Sequence, residues 1–241
     1  MAENHTVRRP FLRAMPVALA VALLAGAGAS LPTAAQVAPT PAEVSALRGL
    51  HAAAYGGNST KLAKLIADGG DINARDMYGR TPLHVATFAQ QRNTIRALAK
   101  AGAGINLLEN DRYDAVTIAA VADDEDTLRV LLGLGASARQ VTSRYDGTAL
   151  IAAAHLGHEG VVRQLIAAGA PLDHVNNLHW TAAIEAVVLG DGGPRHQATL
   201  KALIEAKANL QLTDRQGNTP LQLASSRGFT QMAQMLEAAA K

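Results

Sequence analysis

The chain has 241 residues, of which 49% are hydrophobic, 3% are aromatic and none is cysteine. The lack of cysteine excludes disulfides, thiolate metal sites and cysteine nucleophiles. The formal net charge is +2, but positions 1–35 hold three arginines and one glutamate, and the remainder carries 19 basic and 19 acidic residues. A neutral chain without a basic stripe is a poor nucleic-acid binder, because phosphate affinity comes mainly from Lys and Arg.

Positions 1–35 have the pattern of an export signal. A basic region is followed by the apolar run 16–29, and Thr33-Ala34-Ala35 offers a cleavage site before Gln36. The run is shorter than the roughly 20 apolar residues that a membrane span needs. We expect cleavage near Ala35 and a periplasmic or secreted bacterial protein without a membrane span in its mature chain. An uncleaved N-terminal anchor is the alternative.

The basic part of this signal runs Val7-Arg8-Arg9-Pro10-Phe11-Leu12-Arg13. It resembles the twin-arginine export motif, which addresses a pathway that carries folded cargo. A general secretory signal with two arginines is the alternative. The segment 36–42, with Pro39 and Pro41, is predicted to be a short extended linker.

From about residue 43 onward, one phrase returns roughly every 33 residues. Its clearest copy is Asp76-Met77-Tyr78-Gly79-Arg80-Thr81-Pro82-Leu83-His84, and the last copy is Asp214-Arg215-Gln216-Gly217-Asn218-Thr219-Pro220-Leu221. This pattern resembles the ankyrin repeat, and the resemblance implies units of one β-turn and two antiparallel helices. The predicted fold class is therefore an all-α repeat solenoid of about six units.

The units are placed at about 43–75, 76–108, 109–142, 143–175, 176–213 and 214–241. The first has lost Thr-Pro but keeps His51, and the third has Asp114-Ala115-Val116 where Thr-Pro-Leu is expected. In the repeat phrase, Thr81 is predicted to cap the first helix and Pro82 to occupy its first position. Second helices carry apolar residues at helical spacing, such as Leu62, Leu65 and Ile66.

The fifth unit departs most from the period, because Thr181 and Thr219 lie 38 positions apart. The surplus falls at 190–196, which contains three glycines and Pro194. We predict a long loop there. A phosphate-binding loop is disfavoured, because no Lys-Ser/Thr pair and no strand accompany these glycines.

Motifs of known enzymes are missing from the sequence: there is no Gly-x-Ser-x-Gly, no Walker loop and no His-Glu-x-x-His. The resemblance implies that His51, His84 and His158 are structural hydrogen-bonding groups. His155 and His158, three positions apart, are the weak alternative of a metal site. The acidic run 123–126 is predicted to cap the following helix, with cation binding as its alternative. We expect no catalytic residue, no bound metal and no cofactor.

The resemblance also implies where a partner would dock, since ankyrin proteins bind partners with the turn tips and the concave face of the first helices. Its variable positions are Met77, Tyr78, Arg80, Phe88 and Ala89 in unit two, Asn110, Asp111, Tyr113, Val121 and Ala122 in unit three, Arg144, Tyr145, Gly147, His155 and Leu156 in unit four, and Asn177, Leu178, Trp180, Val188 and Leu189 in unit five.

Six of the seven aromatic residues after position 35 fall on these positions or on Tyr55 of unit one; Phe229 is the exception. Aromatic residues and arginine tend to dominate interface energetics. The predicted partner-binding residues are Tyr55, Met77, Tyr78, Arg80, Phe88, Asp111, Tyr113, Arg144, Tyr145, His155 and Trp180. Packing of these rings between adjacent turns is the alternative.

Three functions follow from these observations. The first is a non-catalytic, monomeric module that docks one or more proteins of unknown identity. The second is a metal-binding or enzymatic protein that uses the 190–196 segment and nearby histidines. The third is an export escort or chaperone for a folded client, suggested by the twin-arginine-like signal.

Overall fold

The computed structural model describes residues 38–240, and the predicted export signal at 1–35 lies outside them. Within that range the chain forms thirteen helices and one two-stranded sheet. The elements are α1 (Pro41–Ala46), α2 (Gly49–Tyr55), α3 (Ser59–Ala67), α4 (Pro82–Phe88), α5 (Arg92–Lys100), α6 (Ala115–Val121), α7 (Glu125–Gly133), β1 (Val141–Thr142), β2 (Gly147–Thr148), α8 (Ala149–Leu156), α9 (Glu159–Ala167), α10 (Ala182–Val188), α11 (Pro194–Glu205), α12 (Pro220–Ser226) and α13 (Thr230–Ala239).

From α2 onward the helices form six antiparallel pairs, one pair in each predicted unit. The first helix of every pair contacts the first helix of the next pair, and the second helices stack in the same way. Contacts therefore run between neighbouring units, as expected of a repeat solenoid. The predicted solenoid of helix pairs is confirmed.

The first helix of a pair begins after a cap residue whose side chain accepts a hydrogen bond from a backbone N–H that has no carbonyl partner within the helix. Thr148 and Thr181 accept the backbone N–H three residues later, and Asp114 does the same for Thr117. At Thr81 the imidazole takes part, because His84 Nδ1 accepts the Thr81 backbone N–H at 3.1 Å. Pro82 occupies the first helical position, where a proline loses no hydrogen bond.

The core is continuous along the stack and consists mostly of alanine, leucine, valine and isoleucine. Leu62, Leu128 and Leu165 of the second helices are fully buried. Alanines such as Ala86, Ala120 and Ala154 are fully buried in the first helices, where their small side chains let neighbouring units approach closely.

Two sequence predictions are wrong at the ends of elements. Pro41 and Ala42, predicted as part of the extended linker, form the first turn of α1, with Thr40 as its N-cap. Pro194, Arg195 and His196, predicted as loop, form the first turn of α11. In both helices a proline stands at the first turn, where it favours the helix instead of breaking it.

Two smaller features complete the fold. β1 pairs antiparallel with β2, with Val141 opposite Thr148 and Thr142 opposite Gly147, so the turn of unit four is a short hairpin. Within residues 38–240, no helix is both long and apolar enough to cross a membrane.

Candidate partner-binding surface

In units two to six, the turn begins with a polar side chain that accepts backbone N–H groups of the same turn: two in units two, five and six, and one each for Glu109 of unit three and Ser143 of unit four. Asp76 Oδ1 accepts the backbone N–H groups of Tyr78 and Arg80, both at 2.9 Å. Asp214 and Asn176 accept the two equivalent N–H groups in units six and five. These hydrogen bonds hold the turns in a defined conformation, which would lower the entropic cost of binding a partner there.

The third residue after that polar side chain has a left-handed backbone conformation in five units. Glycine fills the position in units two and six, whereas Arg112 (φ 67°), Asp146 (φ 51°) and His179 (φ 65°) fill it in units three to five. A side chain at positive φ is uncommon and costs free energy. Two of these three side chains form an ion pair with each other: Arg112 Nη1 lies 2.9 Å from Asp146 Oδ1.

Neighbouring turn tips are joined by backbone hydrogen bonds. The N–H of Asn110 donates to Tyr78 O at 3.1 Å, and the N–H of Asn177 donates to Tyr145 O at 2.9 Å. Two predicted site residues, Arg144 and Asp111, also pair across units three and four at 2.6 Å. Both side chains are more than half exposed, so the pair orients the tips more than it stabilises the fold.

Large apolar side chains are exposed mainly at the positions where the sequence predicted partner contact. Nine are exposed within residues 38–240, and six of them belong to the turn tips or to the ends of first helices. The six are Met77, Tyr78, Tyr145, Leu156, Leu178 and Leu189. Exposed apolar groups concentrated on one face mark an interaction site more often than scattered ones do.

A column of half-buried side chains accompanies them at the last residue of successive first helices. The column consists of Tyr55, Phe88, Val121 and Val188, with His155 at the same position one residue before the end of α8. Tyr113 and Trp180, which each stand just before a first helix, are also half-buried. We call these seven residues and the six exposed apolar residues the candidate surface.

We leave Arg80, a predicted partner-binding residue, out of the candidate surface because its side chain is buried and already paired. It is 5% exposed, and its guanidinium bonds Asp76 Oδ2 at 2.7 Å and Glu43 Oε2 at 3.1 Å. Burial alone would raise the pKa of Glu43, but hydrogen bonds from Tyr78 and Arg80 lower it. Arg80 thus fastens α1 to the second turn, and its guanidinium lies 4.4 Å from the centre of the Tyr78 ring.

Three histidines bond backbone carbonyls of other segments of the stack, as the resemblance implied. His51 Nε2 bonds Arg80 O at 2.8 Å, and His84 Nε2 bonds Leu107 O at 2.9 Å. His158 Nδ1 bonds Ala120 O at 2.9 Å. His155 differs, because its Nδ1 lies 3.4 Å from Glu185 Oε2 and its side chain is 44% exposed.

The geometry does not favour a metal site. His155 faces Glu185 whereas His158 bonds a backbone carbonyl of unit three, so the two imidazoles do not converge. Residues 38–240 contain no group of three histidine, aspartate or glutamate side chains that could hold a metal ion.

The acidic run caps a helix as predicted. Asp124 Oδ1 accepts the Thr127 N–H at the start of α7 and also bonds Arg92 Nη2 at 2.9 Å.

The glycine-rich segment 190–193 is a loop between α10 and α11 of unit five, as predicted, and it lies close to neighbouring units. Arg195 of α11 bonds Gly157 O and Asp123 of the preceding units, and His196 Nε2 bonds His155 O at 2.9 Å. A side chain at Gly192 would lie 2.5 Å from the ring of Phe229 in unit six. The glycines therefore permit close packing against neighbouring units.

The sequence did not predict one buried polar pair next to this surface. Asn176 and Glu185 are 4% and 5% exposed, and Asn176 Nδ2 donates to Glu185 Oε1 at 3.0 Å. The signal was available, because Glu185 is an acid at a position where every other first helix has an apolar residue. It becomes visible only when the units are aligned position by position.

Comparisons with known proteins agree with this architecture. A family model described as ankyrin repeats (3 copies) matches residues 41–111 and 116–193, and a second, described as ankyrin repeats (many copies), matches 194–237. The chain belongs to the ankyrin repeat family. Ankyrin repeats are protein–protein interaction modules, and the family is generally non-catalytic.

Individual relatives cover most of the chain. A putative ankyrin repeat protein, YahD, of Escherichia coli strain K12 is 38% identical over 188 residues, which are 78% of this chain and 93% of that protein. An ankyrin repeat domain from Acinetobacter baumannii AYE is 40% identical with a TM-score of 0.75, covering 79% of this chain and 97% of its own. The ankyrin repeat domain of Bcl-3, described as a unique member of the IkappaB protein family, is 26% identical with a TM-score of 0.71, covering 80% and 86%.

Proposed function

We propose that this chain is a non-catalytic docking module that holds a protein partner on the candidate surface. The main support is the distribution of exposed apolar side chains, six of nine on the turn tips and first-helix ends within residues 38–240. Tyr145, 43% exposed, and the half-buried Trp180 supply the aromatic groups that often dominate binding free energy. A typical interface buries about 800 Å² on each side, which several adjacent units can provide.

The chain offers a matched pair of leucines for testing this proposal. Leu189 and Leu134 are both 38% exposed, but Leu189 belongs to the candidate surface whereas Leu134 follows the second helix α7. A partner isolated by affinity capture is purified, and its affinity is measured by calorimetry. Leu189→Ala should weaken binding several-fold and Tyr145→Ala by about 2 kcal/mol, roughly thirtyfold. Leu134→Ala should have no effect.

Thermal unfolding of the same variants separates a binding role from a packing role. Side chains that mainly fill gaps between turns would lower the melting temperature when truncated and leave the affinity unchanged. Equal loss of affinity in Leu134→Ala and Leu189→Ala would contradict docking on the candidate surface.

We also propose that the protein is exported from a bacterial cytoplasm, on the support of the Val7–Arg13 pattern and the apolar run that follows. Joint replacement of Arg8 and Arg9 by lysine should block export if the twin-arginine pathway is used. The measurement is fractionation of the bacterial host, with N-terminal sequencing to locate cleavage near Ala35. Continued export would indicate the general secretory route and remove the basis for an escort role.

A further inference from the structure

Glu185 is a buried carboxylate at a position that is otherwise apolar. It lies four residues after the cap residue of its first helix, and its side chain is 6% exposed. The equivalent residues of the other units are Ala52, Val85, Ile118, Ala152 and Leu223. Burying a charge costs free energy unless the charge is paired, so Glu185 needs an explanation that the repeat pattern does not supply.

One carboxylate oxygen is explained by the turn of unit five. In units two and six, the second oxygen of Asp76 or Asp214 accepts from the side chain of Arg80 or Asn218. Unit five has Trp180 at the position of Arg80 and Asn176 at that of Asp76, and Asn176 Nδ2 donates to Glu185 Oε1 instead. A glutamine at position 185 would accept this bond equally well. The hydrogen bond therefore accounts for an acceptor but not for the charge.

The other oxygen faces the candidate surface. Glu185 Oε2 lies 3.4 Å from Nδ1 of His155, whose side chain is 44% exposed. Among residues 38–240, the structure gives Glu185 no lysine or arginine partner. The imidazole of His155 is thus the cover of a buried anionic group, and rotation of an exposed side chain between rotamers takes only picoseconds to nanoseconds.

The neighbours of this pair along their helices are apolar and exposed. Leu156, 37% exposed, follows His155 at the end of α8, and Leu189, 38% exposed, follows α10 one turn after Glu185. A charge pair formed among apolar groups is shielded from water, so it contributes more to binding and specificity than an exposed pair does.

We propose that Glu185, uncovered by rotation of His155, binds an arginine side chain of the partner, flanked by apolar residues that contact Leu156 and Leu189. The charge complements the carboxylate, and the apolar flanks complement the exposed leucines. Arginine fits better than lysine because a guanidinium is more weakly hydrated and loses less on entering a buried site. The inference rests on the proposed function, since it specifies the chemistry of a partner on the same surface.

Two peptides test the inference without the natural partner. The acetylated and amidated tripeptide Leu-Arg-Leu carries the guanidinium, and the same peptide with citrulline replaces it by a neutral group of nearly the same shape. Trp180 is the sole tryptophan of the 241 residues, so selective isotope labelling of tryptophan gives a single backbone amide signal in NMR. That N–H donates to Asn176, which in turn bonds Glu185, so the signal reports on this site. The arginine peptide should bind the full chain at roughly millimolar concentration, and the citrulline peptide at least about tenfold more weakly.

Two variants should change this binding in opposite directions. Glu185→Gln keeps an acceptor for Asn176 and removes the charge, so it should abolish the preference for arginine over citrulline while the protein stays folded. His155→Ala removes the cover, so it should bind the arginine peptide about threefold or more tightly.

Equal binding of the two peptides by the wild-type protein would overturn the inference, and so would an unchanged preference in Glu185→Gln. Failure of both peptides to bind would also overturn it. None of these results bears on the proposed function, which is tested with the captured partner and the Leu189 and Leu134 variants. Equal loss of affinity for the captured partner in Leu189→Ala and Leu134→Ala would contradict the proposed function itself.

Discussion

His84 illustrates how a single side chain supports the stack through its protonation state. Its Nδ1 accepts the Thr81 backbone N–H, so the proton of the neutral ring is on Nε2, which donates to Leu107 O. The bond at Nδ1 needs the neutral ring in this tautomer, because a protonated imidazole has no acceptor nitrogen, whereas Nε2 donates to Leu107 O in either form. Burial is the main cause that lowers the pKa of His84 from 6.5 to about 4.

This pKa predicts an acid-sensitive contribution to stability. The folded-state value lies below the unfolded one, so the contribution is complete above pH 6.5 and is lost as the pH falls towards 4. We expect about 3 kcal/mol of unfolding free energy to be lost over that range through this residue. Denaturant unfolding at a series of pH values measures it.

The control variant is His84→Gln, because Gln222 occupies the equivalent position in unit six and accepts the Thr219 N–H at 2.8 Å. Glutamine keeps the cap and does not titrate. The variant should lose less stability between pH 6.5 and pH 4 than the wild-type protein; parallel pH profiles would show that His84 does not carry the effect.

Also at the scale of single residues, the sequence predicts the role of a side chain when its position in the repeat determines that role. It predicted the ties of His51 and His84, because those bonds lie within the repeat frame. It did not predict the burial of Arg80, whose partner Glu43 lies 37 positions earlier in α1, before the first helix pair. Exposure at a variable position depends on such distant partners, which spacing alone does not reveal.

At the scale of elements, the start of α11 shows a proline that extends a helix. Gly193 caps the helix and Pro194 takes its first position, so α11 has 12 residues where α3, α5, α7 and α9 have 9. Three of the surplus residues of unit five are thereby helical. The combination of glycine followed by proline was visible in the sequence, but its meaning depends on whether a helix follows.

Substitution of Gly190 and of Gly133 by alanine should change the stability of the protein in opposite directions. A Cβ at Gly190 would lie 2.1 Å from Ala186 O, so Gly190→Ala should destabilise the protein by about 1–3 kcal/mol. A Cβ at Gly133, the last residue of α7, would meet nothing within 4 Å, so Gly133→Ala should stabilise it by about 0.4–1 kcal/mol. Thermal and chemical unfolding measure both, and destabilisation of equal size would refute the steric explanation.

At the scale of the whole molecule, the period of about 33 residues predicted the stack because a repeat must bury its apolar face against its neighbours. The same period could not predict Glu185 or the apolar exposure around it, since these are departures from the repeat. We therefore expect the proposed partner binding to depend on the residues that differ between units, whereas the fold depends on those that recur. In the candidate surface the same backbone positions recur from unit to unit, whereas the side chains at those positions differ.

Contacts between neighbouring units alone predict that damage to one unit stays local. Leu83 and Leu150 occupy the same position in units two and four, and both are at most 1% exposed. Replacement of either by alanine should cost about 2–5 kcal/mol of stability.

Trp180 belongs to unit five, so its fluorescence reports the unfolding of the C-terminal half, whereas circular dichroism reports all helices. Leu150→Ala should lower the denaturation midpoint in both signals. Leu83→Ala should lower it mainly in circular dichroism, because its effect reaches unit five only through units three and four. Equal shifts of the fluorescence midpoint in the two variants would mean that the stack unfolds as one cooperative body.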